Sequence, residues 1–454
     1  MRRQARIRFG EKTQDYLLIR TLRGPCAEFA AGLDRVSDTR HVALRFNSLI
    51  TSISDTAVER ALKRSTDRIR VTHTGSLPRP PEMLATMHLI AAGKPIDERA
   101  HEAAITRCVA ESVQRQKDCG IDVVNDGECG KPSFLGYIGE RLSGFEARIP
   151  KGGIPVPTGP IGTTGRDAER FPEFYKNVLE HNPFEKAVRL PPLVCVGPIK
   201  FVGQNKIGRD IANLKAGMAA AGADEGFVPT SAPFTIVPNE YYRSDDDYQE
   251  AYAEAVREEY KAIIAAGLLA QIDFPHLVSS WDAKKNMSLP EYRKWAEAQV
   301  ERLNHALRGF PEESIRFHTC YGVNFGPRTS DLQLADVIDI FFKIKAQSYS
   351  FEAANPRHEH EWRVPQKVKI PDGKILIPGV VTHSNAMIEH QEVVADHIER
   401  WARAAGRENI LVGNDCGFAS VAGNTEIPMT VAWAKLNALG EGARIASRRL
   451  WDSK

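Results

Sequence analysis

A chain of 454 residues with 42% hydrophobic and 26% charged residues has an ordinary globular composition, with ample apolar material for a large core. A net charge of +2 gives no reason to expect a polyanionic partner, so nucleic acid is not predicted as a ligand, and no apolar run approaches the ~20 residues of a membrane span. Seven widely spaced cysteines with no visible secretory signal predict a reducing, cytoplasmic setting and argue against a disulfide framework.

Residues 1–68 carry more Lys and Arg than Asp and Glu, with weak periodicity and no strong strand. This predicts an N-terminal extension, irregular or helical and poorly ordered, with no chemistry of its own; its acidic residues argue against a transit peptide. The pattern changes at Ile69, and residues 69–454 are predicted to form one domain. Short apolar runs recur there: RVTHTGSL (70–77), IDVVNDGE (121–128), LVCVGPI (193–199), GFVP (226–229), LAQIDFP (269–275), IRFHTC (315–320), SYSFEA (348–353), ILIPGVV (375–381) and NILVGNDC (409–416). Between them, apolar residues at helical spacing predict helices in ERAHEAAITRCVAESVQRQKDCG, YQEAYAEAVREEYKAIIAAG and SLPEYRKWAEAQVERLNHALRG, the first two closed by Gly. Such alternation predicts an α/β fold, a (β/α)8 TIM-type barrel with insertions. Nine strand candidates are one more than the barrel needs, so one lies outside it or is not a strand. A doubly wound open sheet is the alternative, weakened by the lack of G-x-G-x-x-G after the first run. The Gly- and Pro-rich segment from Leu135 to Leu190 is predicted to be a long insertion at one end of the barrel.

The residues capable of chemistry follow the apolar runs: Ser76, Asp126, Glu128, Asp273, His318, Cys320, Glu352, His383 and Cys416. In a barrel such positions converge on the C-terminal mouth, where active sites form. Strand alternation points His318 and Cys320 to one face. An imidazole and a thiol at a strand end make half a zinc site, although an isolated H-x-C is more often a core histidine beside a buried thiol. Cys416, followed by Gly417, and Glu352 are the candidates to complete it; alone they read equally as a buried small hydrophobe and a surface acid. Two thiolates, an imidazole and a carboxylate would select zinc over magnesium or calcium. His358 and His360, in PRHEHEW, are alternative ligands or part of a solvated loop. The separations from Cys320 to Glu352 (32 residues) and from Glu352 to Cys416 (64 residues) suit ligands gathered from different strands rather than a zinc finger.

Seven motifs, in this order along about 69–420, resemble the zinc-binding C-terminal barrel of the cobalamin-independent methionine synthase family: THTGSLPRP, DVVNDGE, QIDFP, FHTC, SFEA, PGVVTHSN and NDCG. The resemblance implies His318, Cys320, Glu352 and Cys416 as ligands of Zn2+. It implies Gly75 and Ser76 as contacts to the carboxylate of an amino-acid thiol, Glu128 and Asp273 as the acids that hold its ammonium group, and His383 as the catalytic histidine beside the metal. The implied activity is a zinc-dependent S-methyltransferase of methionine biosynthesis, whose partners are homocysteine and an alkyl donor.

Three departures stand against a full match. There is no room for the second, N-terminal barrel of the long methionine synthases. Phe234 stands where the family's folate site has a tryptophan, and Phe274 replaces the acid of Q-I-D-E-P. The thiol site is therefore better supported than the folate site. Alternatives are an epoxyalkane:coenzyme M transferase-like thiol addition, for whose sulfonate Arg79 is the nearest cation; a metal-free porphyrin-decarboxylase-like barrel; and a non-enzymatic zinc-binding barrel.

Overall fold

A computed structural model of the chain describes residues 62–151, 165–180, 185–322, 326–424 and 426–452. The predicted extension lies outside the described residues except for 62–68.

Eight short parallel strands make the barrel: β1 (71–72), β2 (Val123–Val124), β3 (Glu225–Ser231), β4 (Leu269–Asp273), β5 (Ile315–His318), β6 (Ser348–Phe351), β7 (Ile375–Val381) and β8 (Gly413–Asn414). β2 through β8 are neighbours in chain order within one sheet. β1 joins its two edges, because Val71 pairs with Val412 and Thr72 with Val123, both in parallel. The ninth candidate lies outside the ring: Leu193–Cys195 pairs antiparallel with Phe145–Ala147. Phe145–Ala147 lies within the predicted insertion and Leu193–Cys195 just beyond it, and the insertion's described parts also hold two short helices, Arg166–Arg170 and Pro172–Glu180.

The predicted helices form at Glu98–Asp118, Asp245–Ala265 and Leu289–Ala306. The first two end at Gly120 and Gly267, whose φ of 79° and 80° is the left-handed conformation that glycine adopts without steric cost. The third starts in a capping box, with Ser288 and Glu291 satisfying each other's backbone N–H.

Strand alternation divides the sheet residues into two sets. Ala270, Ile272, Ile315 and Phe317 point outward into the large core between sheet and helices. Inward, the floor is a small apolar cluster that includes Phe227, Leu269, Ile375 and Leu411, with Leu62 packed into it. One step up each strand the inward layer turns polar. Gln271, Arg316 and Ser348 are register partners across β4, β5 and β6. Arg316 donates to Thr72 Oγ1 at 2.6 Å and to the His73 carbonyl at 2.7 Å. The next inward layer is Asp273, His318 and Ser350, again register partners. The candidate chemistry thus sits on the last inward position of three adjacent strands, at the C-terminal mouth.

The cysteine pattern requires one correction. Cys108, on the helix Glu98–Asp118, forms a disulfide with Cys129, just after β2, with Cα atoms 6.2 Å apart. Sequence spacing does not show this pair, because helix packing on the sheet brings the two residues together.

Candidate metal centre and substrate pocket

His318 ends β5, and Cys320 follows two residues later on the same face. Cys416 follows β8, two strands beyond Glu352 in β6's continuation. The donor atoms of His318, Cys320 and Cys416 lie within 4.8 Å of one another, and all three residues are buried. The two sulfurs are 3.0 Å apart. His318 Nδ1 pairs with Ser350 Oγ at 3.2 Å, while its Nε2 is buried without a partner. Burial, with Arg316 behind it, lowers the His318 pKa to about 3, so the ring is neutral and has a lone pair to give. The Cys416 thiol is pushed well up by its hydrogen bond with Cys320 and by burial. An orphaned imidazole nitrogen aimed at two sulfurs in a buried site fits a soft divalent metal.

Glu352 falls outside that trio. Its carboxylate groups instead with His383 and Asp415, also within 4.8 Å of one another. Glu352 Oε1 accepts from the Tyr321 N–H at 2.8 Å, and Oε2 accepts from Arg328 Nη1 at 2.8 Å and Asn355 Nδ2 at 2.9 Å. Burial works against the charge, yet the Arg328 guanidinium holds its pKa at about 2. Asp415 accepts from the N–H groups of Ala353, Ala354 and Asn355, tying the end of β8 to the end of β6. His358 is not near the trio: it stacks on Tyr321 at 4.2 Å and sits between Asp331 and Glu361, which raise its pKa to about 9 against burial. Arg328, Asn355 and Asp415 are absent from the sequence-derived set. Asp415 could have been found as the neighbour of Cys416; Arg328 lies in the loop GPRTSD, which carries no periodic signal.

A cavity of about 600 Å³ opens onto the trio, and its wall includes Ser76, Glu128, Asp273, His318, Cys320 and Cys416. Neither Glu352 nor His383 contributes to that wall. Burial and the neighbouring Glu128 raise the Asp273 pKa well above the carboxylate range, and Gln271 Nε2 donates to it at 2.8 Å. Burial likewise raises Glu128, with Lys131 and Arg79 opposing, and its Oε2 has no hydrogen-bond partner. Gly75, at φ 143°, leaves no space for a side chain: a Cβ would come within 3.2 Å of Glu128 Oε1 and 2.9 Å of Pro229. Gly417 packs on Ser76 so closely that a Cβ would lie 2.0 Å from its Oγ. The far lobe is aromatic. Phe234 lines it with His276, ring centroids 5.2 Å apart, and Trp281 is a second wall. Among the described lining residues Lys284 is the one lysine or arginine. Arg79 is committed to the carbonyls of Leu77, Ala419 and Lys131 and does not line the cavity.

Residues 226–434 match the family described as cobalamin-independent synthase, catalytic domain. The methionine synthase of Saccharolobus solfataricus is 24% identical over 388 residues, covering 84% of this chain and 95% of its own. That of Sulfurisphaera tokodaii is 24% identical over 383 residues, covering 84% and 93%. The solved B12-independent methionine synthase from Shewanella sp. W3-18-1 superposes with a TM-score of 0.62 at 21% identity, covering 85% of this chain and 100% of that one. A putative B12-independent methionine synthase from Listeria monocytogenes gives 0.55 at 18%, covering 83% and 98%. These two structures share the barrel. Residues 226–434, the part of the chain that matches this family, begin in β3 and hold all four candidate metal ligands.

Proposed function

We propose that this chain is a zinc-dependent enzyme that transfers a methyl group to the sulfur of homocysteine, giving methionine. The observation that carries the proposal is the meeting of His318, Cys320 and Cys416 on the wall of a cavity that also presents two buried acids, Glu128 and Asp273. When bound by these three residues, zinc supplies a lowered thiol pKa, so that a substrate thiolate exists at neutral pH.

The remaining chemistry belongs to the protein. Glu128 and Asp273 hold an ammonium group, which replaces the repulsion between them with two charge-assisted hydrogen bonds. Ser76 and the backbone at Gly75 receive the carboxylate. With both ends of the amino acid fixed, its sulfur has one direction to point, toward the trio. The sulfur–carbon bond forms as the bond from carbon to the donor's leaving group breaks, and the leaving group takes up a proton. His383 is the proposed proton source; burial lowers its pKa, and the Glu352 carboxylate opposes that shift. The aromatic lobe beside Phe234 and Trp281 receives the donor.

A sulfonate thiol such as coenzyme M fits poorly, because Arg79 is already engaged and the two acids would repel it. The soft-donor trio has no use in a porphyrin-decarboxylase-like reaction. The test is to load the purified chain with zinc and measure methionine formed from homocysteine and a methyl donor. Metal content close to one zinc per chain, lost in Cys416→Ser together with methionine formation, is the expected result. Full zinc retention in Cys416→Ser would reject the centre.

A further inference from the structure

We propose that Cys108 and Cys129 are a redox modification site whose disulfide holds Glu128 in the substrate cavity, so that reduction weakens amino-acid binding and leaves the metal centre intact. The proposal deepens the methionine reading above, on which the role of Glu128 rests.

The loop 125–131 runs back along the helix Glu98–Asp118, and the two match position by position. Ile105, Cys108, Ser112 and Gln116 are three or four residues apart and share one helix face. They meet Gly130, Cys129, Gly127 and Asn125, in that order. A Cβ on Gly130 would stand 3.5 Å from Ile105 Cγ2, and one on Gly127 would stand 2.7 Å from Ser112 Oγ. Gln116 accepts from the Asn125 N–H and donates to the Asn125 carbonyl, both at 2.9 Å. The Cys108–Cys129 bond lies between these contacts and is the covalent one.

Glu128 is the residue of this loop that lines the cavity. It is flanked by Gly127 and Cys129, which both face the helix. Its φ of 55° is left-handed, a costly conformation for a residue other than glycine and one that persists only while its surroundings impose it. Its Oε2 has no hydrogen-bond partner, so the backbone sets where that oxygen points. Reduction leaves the loop held by non-covalent contacts alone, and a segment so held opens more readily.

The redox step is thiol–disulfide exchange. A small disulfide takes two electrons and two protons from the thiols and leaves as two thiols while the Cys108–Cys129 bond forms; a dithiol reverses this. Cys108 is half-buried, with a face open to such reagents, and Cys129 is buried behind it.

The zinc-loaded full chain tests the proposal, with methionine as the probe. Methionine carries the same ammonium group as homocysteine and has no thiol to reduce the disulfide. A water-soluble phosphine opens the bond: oxygen from water goes to phosphorus, and two hydrogens go to the sulfurs. On reduction the Kd for methionine, measured by calorimetry, should rise roughly tenfold, within the usual range of coupling between two sites. Amide hydrogens of residues 125–131 should exchange faster, and reoxidation should reverse both changes. Cys108→Ser should behave as the reduced chain under either treatment. An unchanged Kd, or Cys108→Ser binding as tightly as the oxidised chain, overturns the proposal. So does a loss of zinc on reduction, which would place the effect at the centre. Should Cys108→Ser fail to fold, the two redox states of the unaltered chain decide. Methionine binding in neither state would reject the methionine reading; amide exchange then decides the redox site, and equal exchange in both states overturns it.

Discussion

Two buried acids facing one another are costly until something positive comes between them, and Asp273 with Glu128 is such a pair. The sign can be worked out. The folded-state pKa of Asp273 is raised by burial and by Glu128, above the roughly 3.9 of an unfolded aspartate. At pH below that value both states carry the proton and the group contributes nothing. As pH rises, the unfolded chain releases its proton first, so stability falls with pH and the penalty is present at neutrality. Asp273→Asn keeps the acceptor for Gln271 and removes that penalty. It should raise the melting temperature at pH 7 but not at pH 3, while KM for homocysteine rises roughly 10- to 100-fold, the worth of one charge-assisted hydrogen bond. A melting temperature unchanged at pH 7 would contradict the pairing. Gly417→Ala addresses the carboxylate end. The added Cβ, 2.0 Å from Ser76 Oγ, must displace that hydroxyl, so KM should rise about tenfold or more with metal content unchanged. The two acids, Ser76 and the H-x-C pair were legible because they stand at or just past the ends of apolar runs. Arg328 was not, because it lies in a loop and its partner Glu352 is 24 residues away along the chain.

The strands place the ligands, and their mutual register is held by contacts that are not ligands. Gly379 in β7 pairs with Gly413 in β8, and the register slips before Val381. A Cβ on Gly379 would lie 2.2 Å from Asp415 Oδ1 and 2.7 Å from the Asp415 backbone. Gly379→Ala must therefore push the end of β8, and Cys416 with it, away from the trio. Zinc affinity, measured by competition with a chelator, should fall about 10- to 100-fold, as for other residues that orient a ligand. Affinity equal to that of the unaltered chain would show that β8 does not depend on this packing. At this level the apolar runs predicted eight real strands and one run that pairs elsewhere. LVCVGPI could not be separated from a barrel strand by composition, because an antiparallel ribbon and a parallel strand draw on the same β-favouring residues. What distinguishes it is its partner, Phe145–Ala147, which holds no strong apolar pattern.

The barrel as a body is layered along its axis: an apolar floor, a polar middle around Arg316, and a rim where Asp273, His318 and Cys320 converge. That layering follows from inward alternation along strands of matched register, so the architecture and the position of the rim could be read from the sequence. The cavity at the rim could not, since its volume and its aromatic lobe depend on loops between strands. Among the described residues no helix is long and apolar enough to cross a membrane. The central claim is that a substrate sulfur completes a centre made by His318, Cys320 and Cys416. X-ray absorption at the zinc edge, with and without homocysteine, measures it directly. The account predicts that sulfur neighbours of zinc rise from two, Cys320 and Cys416, to three when homocysteine is added, and that coenzyme M produces no such rise. A count that stays at two with saturating homocysteine would contradict it.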